Sequence, residues 1–418
     1  MSMAIPHARV PLLTLNEALA QLLATVEPIS ATESLPTLDA DGRVLAEAVV
    51  SDLNVPPQDN SSMDGYAVRV MDVTAPGMEM PVSQRIPAGS NGAPLRAQTV
   101  ARIFTGAPIP TGADAVVMQE DCTPGAAGAS DEARVQVNTI PKPGQWIRRA
   151  GEDVASGAVV LSKGQRLGPA ELGLAASIGM ATLRVLRHPR VALFSTGDEL
   201  VMPGTVAPQD MRPGAIYNCN RLFLSSLLRR LGCEVTDFGI VPDKLEATIK
   251  ALRDASGGND LILTSGGVSV GEEDHIKPAV QSLGSLDLMQ IAMKPGKPFA
   301  HGRVGTAHFI GLPGNPVSSF VTFLLLVRPF LLRLQGVADV APVATAIRAD
   351  FDWSRADKRQ EFLRVRRNAA GGLDLFPNQS SGVLTSAVWG DGLLDNPAGQ
   401  TIQEGDTVRF LSFAELLA

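Results

Sequence analysis

From residue 190 onward the chain alternates short apolar runs with amphipathic ones, and this alternation restricts the fold more than any other feature. RVALFSTG reads as a strand and turn, NRLFLSSLLRRLG as a helix closed by Gly232, and CEVTDFGIV as a second strand. DKLEATIKALRDA follows as a helix and DLILTSGG as a third strand. Two further strands fit at LDLMQIAM and AHFIGLPG, ahead of a helix over 317–335. Apolar strands separated by helices predict parallel βαβ units in a three-layer sheet. In such sheets ligands gather outside the carboxyl ends of the strands.

The rest of the chain has a different texture. TLNEALAQLLATV (14–26) is a helix with Thr14 as its cap. Between about 45 and 155 the runs YAVRV, ARIFTG, DAVVMQED and RVQVNTI are short, β-type and divided by glycine and proline, with GAAGASDEA (125–133) as an exposed loop. Helix and turn return over 166–189, where GPAELGLAASIG starts behind a proline. From about 340, TAIRADFDW, EFLRVRRN, LDLFPNQ and GDTVRFL predict a second small β domain. The expected fold class is multidomain α/β plus β, with an α/β/α sheet domain, two mainly β domains and a small α/β linking segment. No repeat of 20–50 residues is visible.

Length and charge narrow the function. A chain of 418 residues exceeds one ordinary core. A net charge of −7 offers no general attraction to nucleic acid or an anionic membrane, so an anionic substrate needs local positive groups. Three separated cysteines and five histidines without an H-x-x-x-H pair argue against a disulfide framework or a zinc site, and suit a reducing, cytoplasmic setting. The N-terminal residues lack a signal-peptide pattern. VSSFVTFLLLVRPFLL, interrupted by Arg328 and Pro329, reads as a buried core helix rather than a membrane span.

Four polar segments fall at predicted strand ends. STGDEL brings the hydroxyls of Ser195 and Thr196, the backbone of Gly197 and the carboxylates of Asp198 and Glu199. SGGVSVGEED brings Ser265, Ser269, Asp274 and the paired glycines Gly266 and Gly267, whose N–H groups can approach an anion. KPGKP sets Lys294 and Lys297 three apart around a turn before Pro298, two like charges that an anion would reconcile. In GLPGNPVSSF, Gly314 and Asn315 precede a helix start, with Asn315 as a cap and the first N–H groups left for a phosphate. Each segment alone also reads as capping or a solvated turn. Four together on one sheet edge point to a pocket for a phosphate-bearing ligand.

PPQDNSSMDGYAV (56–68) adds Asp59 and Asp64 with an amide and hydroxyls between them. An Asx-turn accounts for the small polar residues. Oxygen-only ligands also suit Mg²⁺, so that Asp59 or Asp64 would meet Asp274 or Glu199 across a cleft between domains or subunits.

PPQDNSSMDGYAV, IFTGAPIPTGADAVVMQE, GEDV, FSTGDEL, SGGVSVGEED, MKPGKP and GLPGNPVS occur in the order seen in the MoeA family of molybdopterin molybdenumtransferases, which the chain resembles from GRVLAEAV (42–49) to its tail. The C-terminal part of gephyrin and the E domain of its plant relative are similar. The resemblance implies Mg²⁺-dependent insertion of molybdate into adenylylated molybdopterin with release of AMP. It implies a cytoplasmic homodimer of elongated four-domain subunits, with the cleft shared between subunits and DNSSMDGYAV facing the partner chain. The implied domains are 7–26 plus 188–338, 27–46 plus 155–187, 47–154, and 339–418.

Carried over by position, Asp59, Thr105, Asp153, Glu199, Asp243, Asp274, Lys294 and Lys297 fall on family functional positions, with Asp59, Glu199 and Asp274 as metal ligands. Ser318, Arg359 and Ser380 look like oxyanion contacts, with Arg364 and Ser381 as near alternatives. Asn218 stands where relatives often carry an acid and receives no metal role, and SAVWGDG departs from the family's alanine-asparagine-glycine ending. A separate adenylyltransferase and downstream molybdoenzymes are the implied partners. The rival readings are the preceding adenylylation step and a scaffold like gephyrin. Two added β domains and a single strand-SGG unit disfavour the first, and the lack of a long linker disfavours the second.

Overall fold

The computed structural model describes residues 12–125, 133–267 and 275–417. Its central six-stranded sheet runs in the order Glu234–Val241, Arg190–Thr196, Leu261–Ser265, Ala307–Leu312, Pro298–Val304, Gly284–Gln290. The first four strands are parallel, and the last two join by antiparallel pairing. The sheet is therefore mixed, not wholly parallel as the alternation predicts. Pro298–Val304, a segment beyond KPGKP to which the sequence analysis assigns no element, is the strand that reverses direction. Its hairpin with Ala307–Leu312 needs no helix.

Successive side chains on a strand point to opposite faces, and each face builds its own core. Val191, Leu193, Leu261, Leu263, Ile310 and Leu312 pack with Leu224, Leu227 and Leu228 of the helix Cys219–Arg230. Ala192, Phe194, Ile262 and Phe309 pack on the other side with Leu252 and Ala255 of Leu245–Ser256 and Ile276, Ala279 and Val280 of Ile276–Leu283. Leu15, Ala18 and Leu22, at helical spacing on Leu15–Ala24, join the first core, and Thr14 closes a capping box with Glu17. A helix of 10 residues is marginal alone. Burial of such side chains, worth about 1.5–3 kcal/mol each for the larger ones, holds it in place.

The apolar run 316–334 forms one continuous helix of 19 residues through Arg328 and Pro329, close to the helix expected over 317–335. A π-helical stretch, Phe323–Val327, immediately precedes them and accommodates the N–H that Pro329 lacks. By length and hydropathy this helix matches a membrane span, but 83% of it is buried inside the protein, as a core helix should be.

Residues 47–125 and 133–154 contain a second six-stranded sheet in the order Ala115–Met118, Gly65–Val68, Val100–Ile103, Met78–Ile86, Arg134–Val137, Cys122–Pro124. Thr32–Pro36 pairs with Thr182–Leu186 beside the helix Pro169–Ser177. The C-terminal sheet joins Gln360–Arg367, Gly392–Asn396, Thr407–Ser412 and Thr345–Arg348, with Leu373–Leu375 beside the first. Its far edge is Met293–Lys294, so LDLMQIAM and the start of KPGKP divide between two sheets.

Candidate active site

Because Gly284–Gln290 runs the same way as the four parallel strands, its end lies on the same sheet edge as theirs. STGDEL, SGG, KPGKP and GLPGNP therefore share that edge. Ser195 and Ser265, on adjacent strands, place their hydroxyls 3.3 Å apart. A cavity of about 600 Å³ opens there, lined by Thr196, Glu199, Asn218, Ser265, Gly266, Gly314, Asn315 and Gly382 among others. Among the described residues, none of the middle β segment lines it. Glu199 is exposed, and its carboxylate lies so near Gly197 that a Cβ there would come 2.6 Å from Oε2.

The glycine pair has a geometric cause. Gly266 and Gly267 sit at φ +93° and +68°, and a Cβ on Gly267 would collide with Ile276 and stand 3.1 Å from Thr196 Oγ1. The Gly266 N–H donates to the Leu312 carbonyl at 3.0 Å, so it is not the anion donor expected from sequence. Ser269 and Asp274 lie outside the described residues.

The helix start after GLPGN differs from expectation in the same manner. Asn315 is the N-cap but its side chain makes no capping hydrogen bond, and the Val317 N–H donates to the Ser381 carbonyl at 2.9 Å. The C-terminal segment thus takes a donor that the sequence reading left for phosphate. Ser318 is buried beside it.

In KPGKP the two lysines part company. Lys294 Nζ lies 3.0 Å from Glu361 Oε1 and 3.3 Å from Asp357 Oδ2, while Lys297 is exposed. Glu361 of the C-terminal sheet and Asp357 in the loop before it, rather than an anion held between two lysines, offset the Lys294 charge. Pro298 begins the reversing strand and is half-buried.

The aspartates of DNSSMDGYAV do not converge; each holds a local loop. Asp59 accepts from the Ala150 N–H at 2.9 Å and from Arg149 Nη1 at 2.6 Å, and these contacts, the backbone one foremost, lower its pKa. Asp64 accepts from the Thr105 N–H and hydroxyl, both at 2.8 Å, with the same effect. Asp153 is exposed in the turn just before Val154, and its N–H donates to the Val55 carbonyl at 3.0 Å. The Asp243 N–H faces Asp198 Oδ1 at 3.4 Å.

Just before the strand Gln360–Arg367, Arg359 is forked onto Asp357, with Nη2 2.9 Å from Oδ2 and Nε 3.0 Å from Oδ1. Arg364 is 1% exposed, so it cannot meet a ligand as its sequence assignment requires. Its guanidinium donates to Ser386 Oγ at 3.1 Å and to the carbonyls of Phe362 and Ser380 at 3.0 and 3.4 Å. Burial pushes its pKa down to about 10. Arg364 braces the loop carrying Ser380, Ser381 and Gly382 against the cavity. Sequence reasoning missed Asp357 and Glu361, and also Asn220, which is buried and donates from Nδ2 to the Gly314 carbonyl at 2.8 Å. The N-x-N spacing of IYNCN at a helix start is the signal that marks Asn220. Asn218 caps the helix by accepting from the Arg221 N–H at 3.2 Å.

Among the described residues, no three of His, Cys, Asp and Glu come together as a metal site. Asp59 is engaged by Arg149, which disfavours it as a ligand within one chain. Glu199 lines the cavity with oxygen-bearing neighbours, and Mg²⁺ commonly takes one or two carboxylates and completes its shell with water and substrate phosphate. That single carboxylate fits.

Known proteins place this architecture. Family models match as the MoeA N-terminal region (domain I and II) over residues 13–179, a probable molybdopterin binding domain over 192–333, and the MoeA C-terminal region (domain IV) over 346–413. The chain is 43% identical over 329 residues to a molybdopterin molybdenumtransferase of Haemophilus influenzae, covering 78% of each. It is 37% identical over 394 residues to molybdopterin molybdenumtransferase 2 of Mycobacterium tuberculosis, covering 91% of this chain and 94% of that one. The crystal structure of a molybdopterin biosynthesis moeA protein from Pyrococcus horikoshii superposes with a TM-score of 0.82 at 28% identity, covering 96% of this chain and all (100%) of that one. The chain belongs to the molybdopterin molybdenumtransferase (MoeA) family, transferases of molybdenum cofactor biosynthesis.

Proposed function

We propose that this chain inserts molybdate into the dithiolene of adenylylated molybdopterin, with Mg²⁺ and with release of AMP. The observation that carries the reading is the cavity of about 600 Å³ on the edge where STGDEL, SGG and GNP meet. Its hydroxyls and backbone groups suit a phosphate-bearing ligand, and its size suits a small molecule. The roles of Thr196, Ser265, Gly267, Gly314 and Asn315 are to bind and orient the nucleotide-bearing pterin. Lys297, and Lys294 and Arg359 joined through Asp357, supply positive charge toward the molybdate oxyanion. Glu199 is the described residue that would hold Mg²⁺, and Asp274 belongs to the same proposal. When bound, Mg²⁺ would act as a Lewis acid on the phosphates.

In the same reading, the functional unit is a cytoplasmic homodimer whose cleft is shared between subunits. Asp59, Asp64, Thr105 and Asp153 would then address the partner's cavity, which fits their placement away from the one on their own sheet domain. The four-domain division given above, an adenylyltransferase that supplies the substrate and molybdoenzymes that receive the product belong to this proposal.

The test is AMP release from purified protein loaded with adenylylated molybdopterin, with and without molybdate and Mg²⁺. Release that requires both, with molybdenum retained on the pterin, is the expected result. Tight binding without release would replace this reading with that of a carrier.

A further inference from the structure

Lys294 and Arg359, at the edge of the C-terminal sheet, already hold an anion of the protein's own. Lys294 Nζ and Arg359 Nη2 converge on one oxygen, Asp357 Oδ2, at 3.3 and 2.9 Å. The other oxygen, Oδ1, accepts from Arg359 Nε and from the Arg359 backbone N–H, both at 3.0 Å. A second carboxylate, Glu361, also reaches Lys294, but it is 1% exposed and is fixed by Trp353 Nε1 at 2.8 Å. Glu361 is thus a permanent counter-charge. Asp357 is different, because its side chain is 19% exposed and the two cations it joins are 40% and 27% exposed. Solvent, and any oxyanion in it, reaches all three.

We propose that Asp357 sets the affinity of this site for the incoming oxyanion, by occupying the position between Lys294 and Arg359 that an oxyanion must contest. This rests on the functional reading above and deepens it. Two cations and two carboxylates leave the resting cluster neutral. A doubly charged tetrahedral oxyanion must displace the Asp357 carboxylate from at least one cation to bind, and the carboxylate returns when the product leaves. The site therefore binds its anion weakly enough to release it, and rejects singly charged anions that cannot outcompete a forked carboxylate. Asp357 acts through Lys294 and Arg359 and is a positioning residue.

The experiment is calorimetric titration of the full chain with molybdate at fixed ionic strength, in the wild type, Asp357→Asn and Asp357→Glu, beside AMP-release kinetics in each. Asp357→Asn keeps an oxygen for the Arg359 N–H groups and removes only the charge. Its Kd and KM for molybdate are expected to fall about three- to tenfold, an effect of one partly exposed charge. Asp357→Glu keeps the charge and should stay near wild type. A loss of fold integrity does not tighten binding, so the direction of change separates this role from a structural one. Asp357→Ser removes the same charge and gives the same comparison where Asp357→Asn does not fold. Wild-type AMP release with unchanged or weaker molybdate binding in the charge-removing variants overturns this proposal alone. Neither release nor oxyanion binding in the wild type overturns the functional reading, and this proposal with it.

Discussion

Lys294 and Glu361 face each other on directly paired strands of the C-terminal sheet, with Nζ 3.0 Å from Oε1, although they lie 67 residues apart in the chain. The lysine belongs to a turn that leaves the central sheet at Gln290 and re-enters it at Pro298. The same two-residue strand, Met293–Lys294, ties the central sheet to the C-terminal one.

Removing that lysine should therefore cost stability as well as activity. Lys294→Met leaves the Glu361 carboxylate, 1% exposed, with Trp353 as its remaining side-chain partner. Because Lys294 itself is 40% exposed, the expected loss is below that of a fully buried pair, roughly 1–3 kcal/mol. Glu361→Gln in the same background should recover part of it, since an amide leaves no buried charge. Thermal unfolding of the two variants checks the order.

Gly267→Ala tests the glycine pair by shape alone. A left-handed φ of +68° and the collision of a Cβ with Ile276 act together. The expected loss is about 2–4 kcal/mol, with the cavity edge at Thr196 displaced. A variant as stable as wild type by denaturant titration would mean that the turn relaxes freely.

Two histidines should make the central domain acid-sensitive. His301 and His308 lie on the hairpin Pro298–Val304/Ala307–Leu312, are 5% and 4% exposed, and meet Phe330 edge-to-face with ring centroids 6.4 and 4.9 Å away. His301 faces Thr25 Oγ1 at 3.4 Å, and the buried His308 Nδ1 has no hydrogen-bond partner among the described residues. Desolvation lowers both pKa values to about 4, with the positive charge of Arg303 adding to it and Asp287 and Asp260 opposing it. The folded pKa lies below the unfolded one, so the unfolded state binds more protons between about pH 6.5 and 4. Stability is complete above that window and falls as pH drops through it, by a few kcal/mol for the pair. The melting temperature measured against pH should lose part of its slope in His301→Gln and in His308→Gln.

Much of this fold was legible because periodicity reports which side of an element faces a core. Val191 and Leu193 against Ala192 and Phe194, or Leu224, Leu227 and Leu228 on one helix, are patterns any folded state must honour to bury apolar area. Strand direction leaves no such mark. PFAHGRV is as apolar as a parallel strand, and the decision to turn back at Gly305 rests on a hairpin whose pairing partners are both already strands.

The candidate site divides along the same line. STGDEL, SGG and GLPGN were visible because strand ends with glycine and hydroxyls are local chemistry, and the topology does bring them to one edge. Hydrogen-bond partners were not visible. Gly266 gives its N–H to Leu312, Val317 gives its N–H to Ser381, and Asp59 holds Arg149, 90 residues away. Each is a choice among distant partners; the two backbone N–H groups are thereby satisfied within the fold, while the exposed Asp59–Arg149 pair ties two loops together.

By itself, then, the amino-acid sequence determined five of the central sheet's six strands, the helices around it other than Ile276–Leu283, the polar ends of those strands and the family pattern that orders them, because these depend on neighbours within a few residues. Only the tertiary structure decided that the sheet is mixed, that Arg364 is sealed inside the C-terminal sheet, and that Lys294 and Arg359 share Asp357. Those outcomes depend on which distant charges and backbone groups arrive together, and electrostatic pairing over such separations has no periodicity for a sequence to display.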